Sequence, residues 1–180
     1  FDPDEPYILV RYVAFNASHD IGIKVMSDEE KIALVDRLSK YGRVYISSEG
    51  PVPDELKDKL LKTPYHLIHH VLAFAQLVFS EGATIASEAA VLGVHALYVN
   101  TIQSGSTREQ SERYGLLYCF HDPDERFRQA ADKAVELLET PHLVEMGQAK
   151  RRKLLEEKVD INGYFMQEME RLVKVGRKGK

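Results

Sequence analysis

Short apolar runs alternate with amphipathic stretches along most of this chain, and their order predicts strand and helix in turn. Tyr7-Ile8-Leu9-Val10-Arg11-Tyr12-Val13-Ala14-Phe15 is rich in β-branched and aromatic residues and predicts a first strand. The polar stretch Asn16 to Gly22 follows as a loop. Ser27-Asp28-Glu29-Glu30 has the form of a helix cap with an acidic first turn, and Ile32, Leu34, Val35 and Leu38 supply an apolar face up to Tyr41-Gly42. Arg43 to Ser47 predicts the next strand. Pro51 and Pro53 then break the chain before a short helix from Asp54 to Leu61, and Tyr65-His66-Leu67-Ile68 reads as another short strand or extended segment.

Val71 to Ala75 predicts a brief helix leading into the strand Gln76-Leu77-Val78-Phe79. After a further helix come a strand at His95 to Val99, a loop, a helix around Arg108 to Tyr114 and a strand from Leu116 to Phe120. Asp122-Pro123-Asp124 opens a long helix to Leu138, and two more helical stretches end near Lys174. Strand and helix alternating in this way imply right-handed βαβ units, hence an α/β, Rossmann-like parallel sheet with helices on both faces and extra C-terminal helices. The expected organisation is a linker over 1–6, the Rossmann-like domain over 7–140, C-terminal helices over 141–175 and a tail over 176–180. Phe1-Asp2-Pro3-Asp4-Glu5-Pro6, polar and without methionine, reads as an interdomain linker, so a fragment of a longer protein is expected.

The segment from Phe79 to Gly93 carries the most chemistry. It reads as a strand passing through a small-residue turn into a helix, where Gly82 and Ala83 allow close approach of a ligand, Thr84 can cap, and the first helical N–H groups face an anion. Glu88, farther along that helix, is placed to accept hydrogen bonds from hydroxyls. A glycine at such a turn also occurs for purely structural reasons. In open parallel sheets ligands bind beyond the carboxyl ends of the strands. That brings together three groups: Arg11, Ser18 and His19 on or after the first strand, Ser80 to Glu88 at the central turn, and Gln103 to Gln110 in the third loop. Each has a plainer alternative. Arg11 can pair with a surface acid, His19 can be a loop residue, and Gln110 can be a solvated helix position.

The chain has 180 residues, 44% of them hydrophobic, which is enough for one core and an appendage. A net charge of −4 and a pI near 6.0 argue against nucleic-acid binding, and the Lys150-Arg151-Arg152-Lys153 cluster reads as a solvated helix face. The one cysteine, Cys119, cannot form an intrachain disulfide and reads as an inert thiol inside a strand. No apolar run is long enough to span a bilayer, and no signal peptide opens the chain, so the cytoplasm is the default location. His66, His69 and His70 lack the spaced partners of a metal site. His69 or His70 is expected instead to face the cleft at a helix start, where its titration makes binding pH-sensitive. No metal or cofactor is called for. The Gly-x-Ser-x-Gly, Walker A and Gly-x-Gly-x-x-Gly patterns are all missing.

At Gly82-Ala83-Thr84-Ile85-Ala86-Ser87-Glu88 and the following Ala89-Ala90-Val91-Leu92-Gly93 the sequence resembles the C-terminal, nucleotide-sugar-binding half of GT-B-fold proteins, among them UDP-N-acetylglucosamine 2-epimerases and the glycosyltransferase of lipid II synthesis. Over nearly its whole length it is similar to a bacterial and archaeal family of that fold with no assigned activity. The shared residues are His-His-x-Leu-Ala-Phe-Ala at His69 to Ala75 and Tyr-Gly-Leu-Leu at Tyr114 to Leu117. The resemblance implies phosphate binding by Ser80, Gly82, Ala83 and Thr84, with Arg11, Ser18 and His19 as looser candidates, and ribose binding by Glu88. The transferase's Arg-Gln-Gln, which contacts the sugar, looks like Arg108-Glu109-Gln110. Two departures stand out: Glu81 occupies the place of the epimerases' second glycine, and the first loop lacks both the His-Arg-Arg-Glu-Asn of the epimerases and the glycine-rich loop of the transferases. His95 replaces a proline usual after the turn glycine, which reads as a harmless loop change. The implied function is a nucleotide-sugar, UDP-linked, binding domain of a transferase or epimerase in cell-surface saccharide synthesis, inactive alone because its N-terminal domain is missing. A non-catalytic scaffold that kept the fold, with its tail docked on a partner, is the alternative, and a homo-oligomer is compatible with either.

Overall fold

A computed structural model describes residues 5–14 and 24–178 of the chain, with side chains described as far as residue 174. Five strands, β1 (Tyr7–Tyr12), β2 (Arg43–Ser48), β3 (Leu77–Ser80), β4 (Ala96–Val99) and β5 (Leu117–Phe120), form one parallel sheet in the order β2-β1-β3-β4-β5. The helices are α1 (Asp28–Leu38), α2 (Ile68–Ala73), α3 (Ala83–Val91), α4 (Gly105–Glu112), α5 (Arg126–Leu138), α6 (Leu143–Glu157) and α7 (Ile161–Lys178). The α/β, Rossmann-like expectation is met.

Strand alternation sorts the apolar side chains into two cores. Ile8, Val10 and Tyr12 turn to the face covered by Leu34, Val35 and Leu38 of α1 and by Ala130, Ala134 and Leu137 of α5. Tyr7 and Leu9 turn to the other face, against Val71 and Leu72 of α2 and Ala86, Ala89 and Ala90 of α3. The alanines matter there because a small-residue stripe lets α3 lie close to the strands. α1 starts with the expected cap, which is a capping box: Ser27 Oγ accepts from the Glu30 N–H and the Glu30 carboxylate accepts from the Ser27 N–H.

Two expectations need correction. Tyr65-His66-Leu67 is a 3-10 turn, not a strand. Pro64 fixes a helical entry, the Leu67 N–H donates to its carbonyl at 2.9 Å, and the extended contact falls instead on Leu60, which bridges Ile46. His95 does lie in the loop before β4, but the change is not a harmless one. The residue is 1% exposed, and Lys150 Nζ from α6 lies 3.0 Å from its Nε2 while also donating to the Gly115 carbonyl at 2.8 Å. Burial first, then Lys150 and Lys133, lowers the imidazole to about 4, so it is neutral and accepts from the ammonium.

That contact is possible because α6 crosses the end of α3 at a glycine pair. Gly93 has φ +85°, the left-handed conformation that ends α3, and a Cβ on Gly147 would sit 2.1 Å from the Gly93 carbonyl oxygen. Gly147→Ala must therefore push α6 off α3 and pull Lys150 from His95. The expected cost is about 2 to 3 kcal/mol, lowering Tm by roughly 5 to 10 °C; an unchanged melting temperature would refute this packing account.

Candidate functional site

Strand order reverses between β1 and β3, so the crevice beyond their carboxyl ends is the place to look for a ligand. β3 ends at Ser80, whose hydroxyl accepts from the Gly82 N–H at 3.1 Å and donates to the Gly82 carbonyl at 2.8 Å, closing the turn on itself. Gly82 is the N-cap residue of α3, and no side chain caps the helix. Thr84 is already inside the helix and exposed, so its expected capping role is not realised. Glycine at 82 has a steric reason: a Cβ there would stand 3.3 Å from Val13 Cγ2, where the chain leaving β1 passes over the turn.

Glu88 lies farther along α3 and is partly exposed, with Oε2 3.4 Å from His69 Nε2 on α2. The fold thus joins two of the expected residues across two helices. Both His69 and His70 are exposed. Arg11 is held differently: it donates to Ser47 Oγ at 2.8 Å and pairs with Glu49, whose other oxygen accepts from the Ala14 N–H at 3.2 Å. Arg11 therefore braces the ends of β1 and β2. Ser18 and His19 lie outside the described residues.

Of the expected sugar contacts, Arg108 alone faces a cavity. This cavity, about 410 Å³, lies between the start of α4 and β5 and is lined by Gln103, Ser104, Arg108, Ser111, Cys119 and His121 among others. His121 is oriented there by donating from Nδ1 to the Asn100 carbonyl. Glu109 turns instead to Lys158 at 2.7 Å, and the Gln110 amide donates to the Ser87 carbonyl at 3.4 Å, packing α4 on α3. Cys119 lies inside the edge strand β5 as expected, half-buried, packed against the apolar core and bordering the cavity. Burial raises its thiol, keeping it protonated.

The residue that holds the crevice together is Glu81. Its N–H donates to the Arg11 carbonyl at 3.1 Å, its carbonyl accepts from Asn100 Nδ2 at 3.0 Å, and its Oε2 accepts from the Val13 N–H at 2.9 Å. It is 2% exposed, and burial lifts the carboxyl to about 7 against the opposing pulls of the Val13 N–H, Lys31 and Arg126. The carboxyl points back toward β1 and α1, beside a second cavity of about 230 Å³ bordered by Tyr12, Val13, Lys31 and Ser48.

No protein-family profile and no curated protein matches the chain. Solved structures do. The spinosyn forosaminyltransferase SpnP superposes with a TM-score of 0.62 at 19% identity, over 97% of this chain and 45% of its own. The calicheamicin glycosyltransferase CalG4 gives 0.52 at 22% identity, over 86% of this chain and 39% of its own. The UDP-GlcNAc 2-epimerase of Methanocaldococcus jannaschii gives 0.51 at 15% identity, over 86% of this chain and 45% of its own. The chain has the fold of one half of a GT-B protein. It spans less than half the length of each of these structures, and at such identities the likeness concerns the fold alone. Among the described residues, no helix is long and apolar enough to cross a membrane, and no three of His, Cys, Asp and Glu are grouped to hold a metal ion.

Several residues that shape this GT-B half carry no sequence signal of their own. Arg126 is 1% exposed at the start of α5, donating to the carbonyls of Lys24 and Pro123, and Tyr12 keeps a buried hydroxyl without a partner among the described residues. A glutamate between a strand and a glycine turn was the available hint for Glu81; its burial was not visible. The sign of its effect on stability follows from its shift. The folded protein keeps a proton near pH 7 that the unfolded chain, with an ordinary value of 4.5, has already lost. Stability should therefore fall as pH rises from about 4.5 to 7, by up to about 3 kcal/mol. Glu81→Gln should flatten that limb of a denaturant-measured stability profile; a variant profile parallel to wild type would contradict it.

Proposed function

We propose that the chain is the nucleotide-sugar-binding half of a GT-B glycosyltransferase or sugar 2-epimerase, with a UDP-linked donor. The observation that carries this reading is the uncapped start of α3 at the strand-order reversal, with Glu88 on the same helix. Unsatisfied N–H groups and the positive end of the helix suit a diphosphate. Glu88, an acceptor beside His69, suits the paired hydroxyls of a ribose. Gly82, Ala83 and Thr84 would then surround the phosphates, and Ser80 would act by shaping the turn. Arg108 at the larger cavity is the sugar contact best supported by geometry.

In such a half the chemistry is electrostatic. The helix end stabilises the charge on a departing diphosphate, and no metal is required for that role. An N-terminal domain would complete the cleft, so this chain by itself should bind its donor weakly and turn over little. Cell-surface saccharide synthesis and a cytoplasmic setting belong to the same proposal. One observation favours the second reading, a scaffold that kept the fold: the buried carboxyl of Glu81 next to the phosphate position.

A thermal-shift panel of UDP, UDP-sugars and other nucleoside diphosphates separates the two. A ligand at about 100 times its Kd adds roughly 2.7 kcal/mol, or about 5 to 10 °C for a chain of this length. A uridine-selective shift lost in Glu88→Ala is expected. The variant should otherwise melt within about 1 kcal/mol of wild type, since Glu88 and His69 form a surface pair. A panel with no shift for any nucleotide would favour the scaffold.

A further inference from the structure

The smaller cavity beyond β1 and β2 is bordered by two buried polar groups that want different things. The Tyr12 hydroxyl, on a residue 3% exposed, has no hydrogen-bond partner among the described residues, a costly state for a buried polar group. Glu81 immediately precedes the cap residue of α3 and accepts the Val13 N–H. Among the described residues, the charged and titratable groups facing Glu81 are Tyr12 of β1, Lys31 of α1, Arg126 of α5 and Glu49 after β2. Neither cation makes an ion pair with Glu81, and both reach it only through their fields: Lys31 lies 3.1 Å from Asp28, and Arg126 donates to the carbonyls of Lys24 and Pro123. Among the described residues Glu81 therefore has no ion-pair partner of its own.

Although the carboxyl turns toward β1, the Val13 that holds it also stands over Gly82, 3.3 Å from the position of a Cβ there, so a diphosphate at the start of α3 would bring negative charge close to this desolvated carboxylate, where repulsion is weakly screened. The turn cannot swing Glu81 away, because its N–H, carbonyl and carboxylate are bound to Arg11, Asn100 and Val13. A neutral carboxylic acid removes the conflict and gains a hydrogen-bond donor. We infer that Glu81 is protonated whenever a phosphate group occupies the start of α3, so that the nucleotide-sugar binds together with one proton taken from solvent. This rests on the nucleotide-sugar reading above and adds its regulation: the site loads at neutral to acidic pH and empties as pH rises. Burial already holds the free carboxyl at about 7, within reach of small changes in pH.

The test uses UDP-N-acetylglucosamine, whose two phosphates each carry one ester bond and share an anhydride bridge, so that each keeps a single constant charge between pH 6 and 8. The dissociation constant is measured by NMR titration of the whole chain at pH 6, 7 and 8, for wild type and for Glu81→Gln. Wild-type binding should weaken about tenfold from pH 6 to pH 8, while Glu81→Gln, neutral at every pH, should bind with nearly constant affinity. The carboxyl 13C resonance of Glu81 should titrate near 7 in the free protein and higher in the complex, which reads the proton directly and requires no variant. Binding that does not vary with pH, or a pH dependence that survives in Glu81→Gln, overturns the proton linkage and leaves the nucleotide-sugar reading intact. No binding by either protein at any of the three pH values removes that reading and the linkage with it.

Discussion

One buried glutamate joins the ends of three strands. Through its N–H, carbonyl and carboxylate, Glu81 is tied to β1, to the residue after β4 and to the chain leaving β1, at the point where the strand order reverses. Those bonds set where β3 stops, and hence where α3 begins and which way its free N–H groups point. The rest of the candidate site depends on that placement. Ser80 closes the turn, Gly82 makes room for Val13, and Glu88 is carried to His69 by the length of α3.

The sheet supports this arrangement from both faces by different means. On one face α1 meets the strands with Leu34, Val35 and Leu38, and α5 with Phe127 and Leu137 beside the smaller Ala130 and Ala134. On the other, alanines bring α3 close, and the glycine pair at 93 and 147 brings α6 close to α3. The second face is the less tolerant, because small residues leave no slack for repacking. It also positions the proposed ligand residues, so packing there and chemistry beyond the strand ends are coupled through α3. The larger cavity beside α4 is built from the same device, since α4 is held on α3 by Gln110 and its free side presents Arg108.

The three expected sugar contacts show why a run of adjacent residues divides its roles. Arg108, Glu109 and Gln110 are consecutive on a helix, so successive side chains point about 100° apart. Arg108 faces the cavity, Glu109 meets Lys158, and Gln110 is buried against α3. Similarly, Arg11 was a candidate for phosphate, yet its position opposite Ser47 in register brings it to Ser47 and Glu49. In each case the residue type was informative and its partner was set by a neighbouring element.

By itself the sequence determined the alternation of strands and helices, the capping box at Ser27 and the glycine turn into α3, because these follow from local backbone preferences and the period of apolar residues. It also carried the likeness to GT-B halves in the residues from Gly82 to Gly93. Only the tertiary structure decided that His95 is buried against Lys150 and that Glu81 is closed off from water. Burial and hydrogen-bond partners arise from contacts between residues distant in the chain. A carboxyl's proton affinity is therefore written in the packing around it, not in its neighbours along the sequence.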